Sequence, residues 1–257
     1  MSDIESQRVL GAGIPRTGRL IDVAFPNISL DKSIVLITLI QLGVYVLSCA
    51  MSSAFEPTER VLYQLGATYG PAIRHFQAWR LIMPVFLHVG IVHLLFNILF
   101  ILHMGLDKEI KYGRSNFLML YFSSALIGNM FTVLMRPCSL AVGASTAGFG
   151  LVGSILAEIL MVWHKLDERT RNMYTLDITI FGALMILLSY GQTVDIWGHL
   201  GGFVCGVAVT CELNKNIRDL PHWFGLVKDG TRTICLGVIA LTLVRVFLGL
   251  PLPMGCA

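Results

Sequence analysis

Long unbroken runs of apolar positions, rather than alternation, set the pattern of this chain. A helix that crosses a bilayer needs about 20 mostly apolar residues. Seven segments fit: 33–51, 85–106, 115–135, 142–163, 173–190, 196–213 and 233–250. The first and third carry no charged residue. Open strands cannot cross lipid, because their edge groups would go unsatisfied, so these runs predict helices. The expected fold is an all-α membrane protein, a polytopic bundle of seven transmembrane helices. The polar segments divide it into a tail at 1–32, a six-span core at 33–213 with a long outer loop at 52–84, a linker at 214–232, and a seventh span with a short outer C-terminus at 233–257.

Composition narrows the class. Hydrophobic residues make up 55% of the 257 and charged residues 14%, against about 25% charged in soluble domains. Mean hydropathy is +0.71. Too few polar groups are present to cover a soluble surface. The net charge of +3 is too small to suggest a nucleic-acid partner. Six cysteines occur without CxxC or zinc-like spacing, and they read as small packing residues rather than a disulfide framework. No early apolar run follows Met1, so no cleaved signal peptide is expected.

The basic residues orient the bundle. Fourteen Lys and Arg fall on the side of the N-terminal tail and four on the other, with Arg245 inside the last span. Basic residues collect on the cytoplasmic side. The split predicts a cytoplasmic N-terminus, an odd number of spans, and a C-terminus outside or in a lumen.

Polar groups inside a bilayer are costly and mark function by default. His93 and Asn97 lie one turn apart on the second span. The fourth span opens with Gly143-Ala144-Ser145-Thr146, and the sixth holds His199-Leu200-Gly201-Gly202, with Gly206 beyond. The second, fourth and sixth spans all run from outside to inside. Ser145 and His199 each sit about 3 residues in, roughly 5 Å deep. His93 and Asn97 sit about 8 and 12 residues in on the same count. All gather in the outer half. Gly202 and Gly206 share a face with His199, and small residues let helices approach closely. That packing predicts Ser145 beside His199, with Phe149 one turn below and able to stack on the imidazole. Histidine can take the proton from a serine hydroxyl, which is a weak nucleophile without a base. His93, Asn97 and the Ser145 backbone N–H are candidate oxyanion donors. No aspartate is placed to orient His199, so a dyad is expected.

These pieces resemble the rhomboid family of intramembrane serine proteases. The match runs from Trp79-Arg80 through His88…His93-Leu94-Leu95-Phe96-Asn97 and Gly143-Ala144-Ser145 to His199-Leu200-Gly201-Gly202…Gly206. The extra last span resembles the six-plus-one form of many eukaryotic members. The resemblance implies Ser145 as nucleophile, His199 as base, and His93, Asn97 and Ser145 at the oxyanion hole. Gly143, Phe149, Gly202 and Gly206 support them. It implies cleavage of single-span membrane proteins in or beside their transmembrane helix, through an acyl-enzyme, with no metal or organic cofactor. The six-plus-one layout favours the secretory pathway or plasma membrane. Thr146 stands where the family has glycine, and Phe149 where tyrosine is common. Thr146 is the one feature that suggests an inactive relative that binds or sorts membrane clients. A transporter is disfavoured by the absence of an internal repeat.

Several residues carry structural expectations instead. His88, five residues before His93, is expected to point elsewhere, near the outer interface. Trp79-Arg80 is expected to anchor the loop at the headgroups. Glu158 is expected to pair with a neighbouring helix or reach water. Arg245 either snorkels outward or contacts the core.

Overall fold

The computed structural model describes residues 28–188, 195–217 and 219–247. The first 27 residues, the end of the fifth expected span with the loop after it, and the last ten residues lie outside the described residues. The chain forms α1 (Ser33–Ser52), two short helices α2 (Glu59–Leu65) and α3 (Gly70–Arg74), α4 (Ile91–Met135), α5 (Ser145–Val162), α6 (Glu168–Leu188), α7 (Ile196–Leu213) and α8 (Phe224–Phe247). Among the described residues, α1, α4, α5 and α7 are long and apolar enough to cross a membrane.

The 45-residue α4 covers two expected spans. It breaks at Gly113, with φ 76° and ψ 163°, a backbone region open essentially to glycine alone. The expected connection at 107–114 is therefore a one-residue kink. Its charged residues stay helical because they find partners inside the protein. Glu158 of α5 takes Lys108 Nζ at 2.6 Å and Lys111 Nζ at 2.9 Å. Tyr112 donates to the same carboxylate, and Asn214 donates to the Tyr112 hydroxyl at 2.8 Å. Lys108 and Glu158 are buried, so Glu158 pairs across helices. Glu158→Ala leaves two buried ammonium groups without their shared carboxylate and is expected to cost about 3–5 kcal/mol. Thermal unfolding in detergent micelles measures it, with Glu212→Ala at the surface as the neutral control.

Next to this network, Glu109 caps α1. Its two carboxylate oxygens accept Ser33 N–H at 2.8 Å and Ile34 N–H at 3.0 Å. These are backbone donors that a helix N-terminus leaves unpaired. At the other end, Arg245 of α8 donates to the Leu134 carbonyl at 2.7 Å. That carbonyl lies in the last turn of α4, where acceptors go unpaired. Arg245 therefore contacts the core and ties α8 to it.

The centre of the bundle is α5. Of its most apolar stretch 83% is buried, against 39% for α1. Glycines set its distance from α7. A Cβ on Gly202 would meet Thr146 O at 2.0 Å, one on Gly206 would meet Gly150 O at 1.9 Å, and one on Gly153 would meet Phe203 O at 2.2 Å. The two helices thus touch backbone to backbone.

The loop at 52–84 is a folded unit. Arg80 is buried, and its Nη1 donates to Tyr63 O at 2.7 Å and Ala67 O at 2.9 Å. It staples α2 to the loop instead of reaching the headgroups. Trp79 beside it is more than half exposed. The reading of Arg80 as an anchor fails because its partners are backbone carbonyls at the end of α2 and just beyond it, which sequence spacing does not reveal. Gln41 Nε2 holds Val85 O at 2.8 Å and Asn129 Nδ2 holds Leu81 O at 2.9 Å. The loop after α4 pairs with this unit through Thr68 and Ala141. Cys138 in that loop is disulfide-bonded, which corrects the reading of every cysteine as a packing residue. Cys49, Cys205, Cys211 and Cys235 are free.

Candidate active site

Three helices begin at one place. Ser145 is the first residue of α5, His93 the third of α4 and His199 the fourth of α7. The second span was expected from residue 85, but 3-10 turns end at Phe86 and the helix starts only after Gly90. Pro84 and Gly90 delay it, and His93 moves up to the level of the other two. The N-terminal end of a helix carries partial positive charge and unpaired N–H groups. The chain has gathered three such ends around one point, an arrangement suited to an oxyanion.

His199 Nε2 lies 2.8 Å from Ser145 Oγ. Phe149 stacks on the His199 ring, with centroids 4.3 Å apart and planes 18° apart. Gly202 and Gly206 let α7 approach α5 at the level where this contact forms. Asp195 caps α7, accepting Gly198 N–H at 3.0 Å and the Thr132 hydroxyl. Among the described residues no carboxylate is bonded to the imidazole of His199.

Gly143 shapes the approach to the serine. Its φ is +131°, and a Cβ there would sit 3.0 Å from His93 Cε1, 3.1 Å from His93 Nε2 and 3.6 Å from Ser145 Oγ. Its N–H donates to Pro84 O at 2.9 Å, which fastens the serine-bearing turn to the 52–84 loop. Asn97 is buried, and its Nδ2 donates to His93 O at 2.8 Å. One amide hydrogen remains for another acceptor. Gly143→Ala meets both a disfavoured backbone and the His93 ring. It is expected to lower any serine-dependent rate about 100-fold, since displacing one oxyanion donor has that scale. Initial rates on protein of matched folded fraction measure it.

Thr146 points away from the serine. It is buried, and its Cβ faces Gly128 of α4, where an added Cβ would be only 3.1 Å away. The β-branched side chain fills space between α4 and α5 instead of the approach to Ser145. His88 also departs from expectation. It is fully buried, and its ring stands edge-on to His93 at 5.2 Å between centroids. Counting five residues back along a helix aimed it elsewhere, but residues 87–90 are not helical. The Pro84 carbonyl and Gly128 also serve the site, and neither has a polar side chain for sequence reasoning to notice.

The chain is similar to known proteins. Residues 75–215 match the family described as Rhomboid domain. Rhomboid-like protease 3 of Toxoplasma gondii is 47% identical over 241 residues, covering 94% of this chain and 92% of that protein. Rhomboid-like protease 1 of the same organism is 37% identical over 222 residues, covering 83% of this chain and 75% of that protein. Rhomboid protease GluP of Bacillus subtilis is 32% identical over 155 residues, covering 59% of this chain and 29% of that protein. The chain is a multi-pass helical membrane protein. It belongs to the rhomboid family.

Proposed function

We propose that the chain is an intramembrane serine protease that cuts single-span membrane proteins within or beside their transmembrane helix. The approach of His199 Nε2 to within 2.8 Å of Ser145 Oγ carries this reading. His199 takes the hydroxyl proton as Oγ attacks the scissile carbonyl. The oxyanion that forms faces the Ser145 N–H, His93 Nε2 and the second amide hydrogen of Asn97. On collapse the amine leaves with the proton from His199, and an acyl-enzyme remains. Water, deprotonated by the same imidazole, then releases the acid. Written this way, the reaction uses no metal or organic cofactor.

A peptide bond inside an intact helix is shielded by its own turns. Substrates are therefore single-span proteins with helix-breaking residues near the outer end. In this reading α1, the two halves of α4, α5, α6, α7 and α8 are seven spans, the first six forming the core at 33–213. The basic-residue split puts the 1–32 tail and the 214–232 linker in the cytoplasm. Disulfides persist in oxidising compartments, so the bond at Cys138 supports an outer or lumenal site in the secretory pathway or plasma membrane.

Co-expression with a tagged single-span protein of this kind tests the reading. Wild type is expected to release a soluble outer fragment whose new terminus lies in or next to the helix. Fragments that persist with Ser145→Ala would overturn it.

A further inference from the structure

The proposed reaction does not use His88. Its side chain is 0% exposed, and its ring lies against His93 at an interplanar angle of 64°. The Phe86 carbonyl approaches the ring. Neither ring nitrogen completes a hydrogen bond with a described residue, and His93 Nδ1, also buried, has none either. Buried polar atoms without partners are destabilising. Proteins relieve that cost with internal water bonded to two or more such groups. Adjacent imidazoles with buried, unpartnered nitrogens offer polar partners for such a water.

The chemistry of His93 gives that water a task. A neutral imidazole carries one proton, on either nitrogen. For Nε2 of His93 to donate to an oxyanion, Nδ1 must be bare and must accept a hydrogen bond. We propose that His88 positions His93 through a shared water, which donates one hydrogen to a His88 nitrogen and the other to His93 Nδ1. The bond to Nδ1 holds His93 in the tautomer with its proton on Nε2, the atom beside Gly143 on the approach to Ser145. The other His88 nitrogen then carries the ring proton. His88 is thus a positioning residue that touches neither substrate nor the reacting atoms. The inference rests on His93 being an oxyanion donor, as proposed above.

His88→Phe keeps the ring and removes both nitrogens. In proteoliposomes with a single-span substrate, it is expected to lower kcat about ten- to a hundred-fold, at or below the loss of a whole oxyanion donor. KM should stay within about two-fold, because the lost interaction is made only in the transition state. His88→Asn, which can still bond the water, is expected to recover part of the rate at equal thermal stability. In a His93→Ala background His88→Phe should add nothing, since the path through His93 is gone. A fully active His88→Phe overturns the proposal, and so does an equal loss in both backgrounds, which marks packing alone. If the phenylalanine variant unfolds, His88→Leu in the two backgrounds carries the same comparison. Failure of the underlying reading looks different: cleavage then survives Ser145→Ala, or His93→Ala is fully active.

Discussion

Ser145→Ala is expected to abolish cleavage, and His199→Ala to do nearly the same. In the proposed mechanism the two side chains act as a unit. Without the imidazole the hydroxyl keeps its proton, and without the hydroxyl the imidazole has nothing to activate. Each single loss should lower the rate about a thousand-fold or more, and the double variant should be little worse than either. Both variants should fold. Ser145 is the first residue of α5, and its Oγ bonds only His199 in the contacts described. Turnover per folded molecule in proteoliposomes reads the effect, with circular dichroism for helix content. A double variant far slower than both singles would mean independent roles and would break the dyad.

The second large effect concerns packing. Gly206→Val and Gly202→Ala attack the seam that brings the two side chains together. The Cβ positions lie 1.9 Å from Gly150 O and 2.0 Å from Thr146 O. Both obstacles are backbone, which cannot swing aside, so α7 must move off α5 by more than an ångström. Overpacking of this kind costs about 1–3 kcal/mol and sometimes more. Gly206→Val is expected to lie at or beyond the upper end and to unfold part of the population. Gly202→Ala is one turn from His199, and the shift stretches the 2.8 Å contact to Ser145. Its rate per folded molecule should fall about 100-fold, because misplacement by about an ångström has that scale. Gly237 on α8 has open space at its Cβ position, so Gly237→Ala is the control and should be neutral. Thermal stability and initial rate, measured on the same preparations, separate the two losses.

These residues also show what the sequence made legible. The apolar runs gave the helices at 33–52, 145–162 and 196–213 to within a few residues, because nothing but a helix keeps so much backbone satisfied in lipid. The glycines three and seven places after His199 announced a close helix pair, since spacing on one face is a local property. Other features depended on distant partners. Asp107 to Tyr112 fell between two expected spans, yet α4 continues through them because Glu158, about 50 residues on, receives both lysines. Arg80 looked interfacial until Tyr63 and Ala67 offered it their carbonyls. His88 was misplaced by a helical count applied where Pro84 and Gly90 keep the chain from being helical. Thr146 looked like a threat to the nucleophile, and only the small residue facing it, Gly128, shows why there is room.

Labelling with a serine-directed fluorophosphonate tests the central claim most directly, because it needs no knowledge of the substrate. The intact protein in membranes is treated, digested and mapped by mass spectrometry. One adduct is expected on Ser145, with little on His199→Ala and none on Ser145→Ala. An adduct on another serine, or equal labelling of wild type and His199→Ala, would contradict the assignment of Ser145 and His199 as a nucleophile and its base.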